Sequence, residues 1–308
     1  MNNRILILLL GLVCLVPLHA QESKEDYLRR YNNLVGRVGP DGLGVETLLN
    51  KWEAAWPEDP NQMIARFSFC FLRSRHTSVV PMEQDRYLGN APLIPMTDST
   101  GKKVNYFEVA EFDDALFAEA NAAIGKAIAT AQNHLDWQIL KINALLAYEK
   151  EKPEMTLQEL KSLVTFHYTR KPDWVHDELG TVTPEQFEAF IQDYCAVLFR
   201  MNTPTSMEAF KSLSEHMLTY KKENPLFLDN LGSYYLIKKD YKKARKYYDQ
   251  VLKKHPDDMT ALKNSILMAR TAKDIKLEKK YLALMAANGE TENDRASAQA
   301  RLDAYNKK

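Results

Sequence analysis

The sequence predicts an all-α protein made of stacked helical hairpins. Three observations predict it. From residue 112 onward, apolar residues recur at helical spacing in segment after segment, with only short joints between them. Helices that each bury one face on the next in series form a solenoid. The run Lys239-Asp240-Tyr241-Lys242 returns 34 positions later as Lys273-Asp274-Ile275-Lys276. Helix-start signals, a Thr followed three residues on by Glu or Gln, stand at Thr156, Thr183 and Thr205.

The elements follow in order. Ser23 is the N-cap of a first helix over residues 23–36, with Tyr27, Tyr31 and Leu34 on one face. Gly36, Gly39, Gly42 and Gly44 break the pattern, and residues 45–56 resume it. The run Pro57-Glu58-Asp59-Pro60 separates that helix from a third over 61–73. Residues 76–111 hold Pro81, Pro92 and Pro95 and no long helical period. Within them, Leu93-Ile94-Pro95-Met96 and Val104-Asn105-Tyr106-Phe107 flank Asp98-Ser99-Thr100-Gly101, the pattern of a small β-hairpin around a Gly turn. Leu116, Ala120, Ile124, Ile128 and Ala131 mark the next helix, and Trp137, Leu140, Ala144 and Tyr148 the one after. Thr156-x2-Glu159 reads as a capping box before Leu157, Leu160, Leu163 and Val164. Thr183 and Gln186 open a helix from Phe187 to Arg200, with Pro184 at its first position. Thr205-x2-Glu208 reads as the start of a helix that ends before Pro225. The expected organisation is a leader over 1–20, a helical region over 21–75, an irregular or β-hairpin insertion over 76–111, and a helical repeat domain over 112–308.

Residues 225–258 carry the most specific pattern. It runs Leu228-x2-Leu231-Gly232-x2-Tyr235, then Ala244-x3-Tyr248, Val251 and Pro256. This resembles a tetratricopeptide repeat, a helix-turn-helix unit of about 34 residues. Leu228 stands where that family has Trp. Gly inside a helix is about 1 kcal/mol less favourable than Ala, so Gly232 needs a packing reason. Gly232 and Ala244 are therefore expected to form the close approach between the two helices. Lys238-Lys239-Asp240 makes the turn, and Pro256 stops the second helix. In the next unit Leu262, Leu282 and Met285 take the places of Leu228, Tyr248 and Val251, while Ile266 replaces Gly232 and Glu278 replaces Ala244. Asn288-Gly289 ends that unit, and a last helix over 292–305, rich in Ala and charge, reads as a polar cap. The resemblance implies a protein or peptide partner, no catalysis and no cofactor. It also implies a groove lined by first helices, here Asp229, Asn230, Ser233 and Ile237, then Lys263, Asn264 and Leu267. Lys263 and Asn264 are similar in type to the residues with which some members clamp a carboxylate, but the rest of that clamp is absent.

Arg4, the apolar run 5–16 and the small residue Ala20 have the form of a secretory signal peptide, which predicts export and a mature chain from Gln21. Its apolar run is shorter than the roughly 20 residues a membrane span needs. Cys14 is a poor lipidation site, because Val13 precedes it and Leu15-Val16 continue the apolar run. Cys70 and Cys195 lie in apolar helical stretches and read as buried thiols. The chain carries 41 basic and 41 acidic residues, so overall charge gives no argument for nucleic acid. The distribution is uneven. Lys238, Lys239, Lys242, Lys243, Arg245, Lys246, Lys253 and Lys254 crowd the good repeat, and acidic residues crowd 149–188.

Two other functions stay open on the sequence. His167, Asp173, His176, Asp177 and Glu178 cluster in one loop, a residue set suited to a metal-dependent hydrolase. Against it, the set lacks a helical i, i+4 pair of ligands. Trp52, Trp56, Trp137 and Trp174 are the stacking groups a glycan-binding or nutrient-uptake accessory would use, although Trp52 and Trp56, four apart on one helix, suit a core.

Overall fold

The structure is a computed structural model, described over residues 22–307. The leader, with Arg4, Cys14 and Ala20, and Gln21 after it lie outside the described residues. Among the described residues the chain is an all-α array of thirteen helices with two two-stranded β-ribbons let into it. No described helix is long and apolar enough to cross a membrane.

Three N-terminal helices come first: α1 (Lys24–Val38), α2 (Val45–Ala55) and α3 (Pro60–Ser74). Ser23 caps α1 by accepting the Asp26 amide at 3.1 Å. Asp59 does more than cap α3. One of its oxygens accepts the Asn61 amide at 3.1 Å, and the other takes Trp52 Nε1 at 3.0 Å. That bond lets a fully buried indole and a buried carboxylate satisfy each other.

Strand β1 (Arg75–Met82) leaves α3 directly and pairs antiparallel with β2 (Asn105–Phe112), Arg75 opposite Phe112 and Met82 opposite Asn105. On β2, Asn105, Phe107 and Val109 face inward, the period-2 burial of a half-covered strand. The hairpin expected within 93–107 is a smaller feature on the other edge of β2. Leu93 N–H donates to Tyr106 O at 2.8 Å and Tyr106 N–H to Ile94 O at 3.0 Å. Its turn is held by Asp98, which accepts the amides of Thr100 at 2.8 Å and Lys102 at 2.9 Å.

The helices then run without interruption except for one short ribbon. They are α4 (Asp114–Thr130), α5 (Leu135–Glu149), α6 (Glu154–Arg170), α7 (Pro184–Met201), α8 (Pro204–Tyr220), α9 (Pro225–Ile237), α10 (Tyr241–Lys254), α11 (Met259–Thr271), α12 (Ile275–Asn288) and α13 (Glu292–Asn306). The ribbon joins α6 to α7 and pairs β3 (Val175–His176) with β4 (Gly180–Thr181). Neighbouring helices pack in series, except that α6 packs more closely on α8 than on α7.

The core is a chain of three clusters. The first unites Trp52, Phe67 and Cys70 with Phe117, Ile124 and Leu145. It joins residues on both sides of position 112, so the change in sequence character there is not a break in packing. The second runs from Leu135 and Leu160 through Phe187 and Leu213 to Phe227. The third holds Leu228, Ala244, Tyr248, Leu262, Tyr281 and Leu282. Cys70 and Cys195 are free and buried, and burial raises both thiols to about 12.

Two helix starts differ from the sequence expectation. α6 begins at Glu154, and Thr156 lies inside its first turn. Its exposed amides are capped from outside by Glu149, whose Oε2 accepts both the Thr156 amide and hydroxyl at 2.7 Å. α8 starts two residues before the expected Thr205: Thr203 caps it by accepting the Ser206 amide at 3.0 Å, with Pro204 at the first position. Thr183 and Gln186 do form a reciprocal box, with bonds of 3.2 and 2.8 Å.

Candidate interaction surface

The 34-residue recurrence is one of backbone geometry as well as of letters. Lys239 has φ +60 and Lys273 φ +58, a left-handed conformation uncommon outside Gly. The next amides, of Asp240 and Asp274, donate to Tyr235 O and Ala269 O, each at 2.9 Å. The same two Asp side chains then cap the second helices, accepting from Lys243 N at 3.1 Å and Leu277 N at 2.9 Å. The hairpins α9–α10 and α11–α12 are thus two copies of one turn.

At the expected close approach of α9 and α10, the side chain that meets Gly232 is that of Tyr248, one turn beyond Ala244. Gly232 makes room for the ring of Tyr248. A Cβ built on Gly232 would lie 2.7 Å from Cδ1 of that ring, inside any tolerable contact. Tyr248 is fully buried. Ala244 is fully buried as well, and Leu228, Leu231 and Val251 are core residues. In the next unit Ile266 and Leu282 take the places of Gly232 and Tyr248. Both are buried in the same cluster, so a small-large pair gives way to two residues of middle size. Tyr235 is half-buried and stacks on Tyr247 with ring centres 5.8 Å apart, and Pro256 is exposed beyond the end of α10.

The seven residues expected in the groove divide into two sets. Asp229 and Asn230 are buried, not open to a partner. Asn230 exchanges two hydrogen bonds with Gln192 of α7, at 2.7 and 3.0 Å, and its amide also reaches Ser214 of α8 at 3.2 Å. Ser233 is half-buried between Tyr248 Oη and Asn264 Nδ2, both at 3.3 Å, and Asn264 is half-buried with it. These residues are a polar floor that ties α7, α8, α9 and α11 together. Ile237 and Leu267 are 47% and 50% exposed, and Lys263 is exposed beside Asp294 at 3.7 Å. Only these three present open surface.

Asp229 has a specific energetic consequence. Its carboxyl faces that of Asp258 and its Oδ1 has no partner. Burial first, and then the Asp258 charge, raise it to about 8 from an ordinary 3.8. A folded value above the unfolded one means that the native state holds a proton the unfolded chain has lost. Stability therefore falls as pH rises from about 4 to about 8. Asp229→Asn is expected to stabilise the protein by about 1–3 kcal/mol at pH 8, the scale of an unsatisfied buried polar group, and by much less at pH 4. Denaturant melts at the two pH values check this, and a loss of stability at pH 8 contradicts it.

No family model and no curated protein matches the chain. A solved chain from the functional characterization of Pseudomonas aeruginosa pilF is similar at 13% identity, over 90% of this chain and 96% of that one, with a TM-score of 0.34. So loose a superposition carries no inference about this protein, whose features are read from its own residues.

His167 lies in the last turn of α6, not in the loop expected from the sequence, and only Asp173, His176, Asp177 and Glu178 lie between α6 and α7. All are held by structural bonds. His167 Nδ1 accepts Trp174 Nε1 at 2.9 Å, and the imidazole stacks on Phe187 with ring centres 3.8 Å apart. Burial lowers its pKa, so the neutral acceptor form fits its place. His176 Nδ1 accepts the Glu178 amide at 3.2 Å, and Nε2 lies 3.3 Å from Asp136, which also accepts the Asp177 amide at 2.8 Å. Asp173 O accepts from Asn133 at 3.3 Å. The two imidazoles thus serve different partners. Among the described residues, no group of three His, Cys, Asp or Glu is placed to hold a metal ion. The indoles are dispersed too. Trp52 and Trp174 are buried, Trp56 donates to Glu22 O at 2.9 Å, and Trp137 stacks on His134 at 4.2 Å.

Proposed function

We propose that the protein is an exported scaffold whose residues 225–288 are a pair of tetratricopeptide-like units, and that it holds a segment of another protein without catalysing a reaction. The observation that carries this reading is the duplicated turn at Lys239 and Lys273, with Ile237, Lys263 and Leu267 left exposed on the first helices beside it. Two exposed aliphatic side chains and an exposed cation, beside polar residues fixed by their own hydrogen bonds, offer a mixed surface. Such a surface suits an extended or helical peptide.

The burial of Asp229 and Asn230 decides how to test it. Changes there, or at Lys263 beside Asp294, alter packing as well as binding. Ile237→Asp with Leu267→Asp changes only open positions. Capture of a protein partner from cell-envelope extract is expected to fall at least about tenfold, the effect of losing one well-placed contact. The melt should move by no more than about 0.5 kcal/mol. The intact mass of the exported chain should begin at Gln21. Unchanged capture, or a turnover activity abolished by His167→Ala and His176→Ala, would overturn the scaffold reading.

A further inference from the structure

The duplicated hairpin places a second surface opposite the core. Between residues 238 and 280 there are fourteen Lys and Arg against six Asp and Glu. On α10 the buried side is Ala244, Tyr248, Val251 and Leu252. Lys242, Lys246 and Lys253, with Lys239 in the turn, fall on the opposite side of the helix and are exposed. On α12 the buried side is Glu278, Tyr281, Leu282 and Met285. Lys276 and Lys280, with Lys273 in the turn, fall opposite and are exposed. The 34-residue period thus repeats Lys239, Lys242 and Lys246 as Lys273, Lys276 and Lys280.

A carboxylate bridges the two helices at this face. Asp249 of α10 accepts Lys280 Nζ at 2.8 Å and Tyr281 Oη at 3.0 Å. The carboxylates on the face are already engaged. Asp240 pairs with Lys243 at 3.1 Å, Asp249 also takes Arg245 at 3.2 Å, and Asp274 caps α12. The remaining lysines therefore project an unbalanced positive field. Ile275, 54% exposed, stands between Lys273 and Lys276.

We propose that this outer face of α10 and α12 docks on an anionic lipid surface. Three features select lipid over an acidic polypeptide. The cations are nearly all Lys, a hydrated point charge suited to a diffuse field, whereas specific carboxylate recognition favours the Arg fork. They lie along these two helices on the outside of the fold, away from the cleft between first helices. Ile275, exposed in the first turn of α12, adds an apolar side chain at the edge of this face, and lysines with a bordering apolar residue suit a peripheral protein seated in headgroups. Each Lys held at such a surface contributes roughly fivefold in affinity.

Sedimentation of the chain from Gln21 with vesicles tests it. The vesicles are phosphatidylglycerol with phosphatidylethanolamine, or phosphatidylcholine with phosphatidylethanolamine. Binding is expected only to the first. It should largely vanish near 1 M salt, where the screening length is about 3 Å. Lys242→Gln with Lys246→Gln and Lys276→Gln should weaken it at least about tenfold, since three such contacts are removed. Ile275→Ser should weaken it further in that background. Lys102→Gln with Lys103→Gln and Lys126→Gln, the same charge change elsewhere, should have little effect. Equal losses in the two triple variants, equal binding to both vesicle types, or retention by a polyglutamate peptide without vesicle binding would each overturn the proposal. Circular dichroism of the variants confirms that they are folded, and the groove need not be intact for the result to stand.

Discussion

Gly232→Leu is expected to cost about 3 kcal/mol, the upper part of the usual range for overpacking. The reason is the Tyr248 ring, which would meet the first carbon of any side chain at that position. Gly232→Ala makes the point more sharply. Ala is about 1 kcal/mol better than Gly inside a helix, so a destabilised Ala variant isolates the ring contact from the backbone effect. Ile237→Ala, on the same helix but 47% exposed, should lie within about 0.5 kcal/mol of the parent. Denaturant melts of the three variants check the ordering. Equal effects at 232 and 237 would mean that α9 does not press on Tyr248.

The second large effect belongs to Glu278, which occupies the place of Ala244 in the degenerate unit and whose side chain is only 3% exposed. It accepts Arg301 Nε at 2.7 Å, Tyr305 Oη at 2.8 Å and Arg270 Nε at 3.2 Å. It therefore joins α11, α12 and α13 through one carboxylate. Burial alone would raise its pKa, but the Tyr305, Arg270 and Arg301 bonds outweigh burial and hold it below the ordinary 4.5. A depressed carboxylate stabilises the fold fully above its unfolded value, and that stability is lost as pH falls through the folded value. Glu278→Ala should cost about 2–4 kcal/mol at pH 7, less than a wholly buried pair because both arginines reach water. The difference from the parent should shrink below about pH 4. Hydrogen exchange locates the effect, with amides of α13 losing protection before those of α4. Unchanged protection of α13 would contradict the link.

These two residues show what the sequence made legible and what it did not. Gly232 stood out because a helical Gly is unfavourable alone, so its position demanded a neighbour. The pattern did not say which neighbour, because the ring of Tyr248 reaches back across the hairpin. Glu278 looked like decay of the repeat, since its bonding partners Arg301 and Tyr305 lie more than twenty residues away. The turn Lys-Asp was readable because its geometry is local. The starts of α6 and α8 were less so. A cap from Glu149, one helix earlier, leaves no mark in the Thr156 motif, and Thr203 and Thr205 offer the same local chemistry. Strand β1 was hidden by its exposed, mixed composition, which lacks the alternation visible in β2. The groove was half legible. Helical register put Asp229, Asn230 and Ser233 on the right side of α9, but whether that side was open or covered depended on Gln192 and Ser214, from two other helices.

A photo-reactive residue placed at Leu267, with the same group at Ala283 on α12 as control, asks whether the exposed side of α11 is the recognition surface. In envelope preparations, a single discrete protein adduct is expected from position 267, removed by Ile237→Asp and not formed from position 283. Adducts of equal yield from both positions, or none from 267 while partner capture persists, would place recognition elsewhere on the molecule.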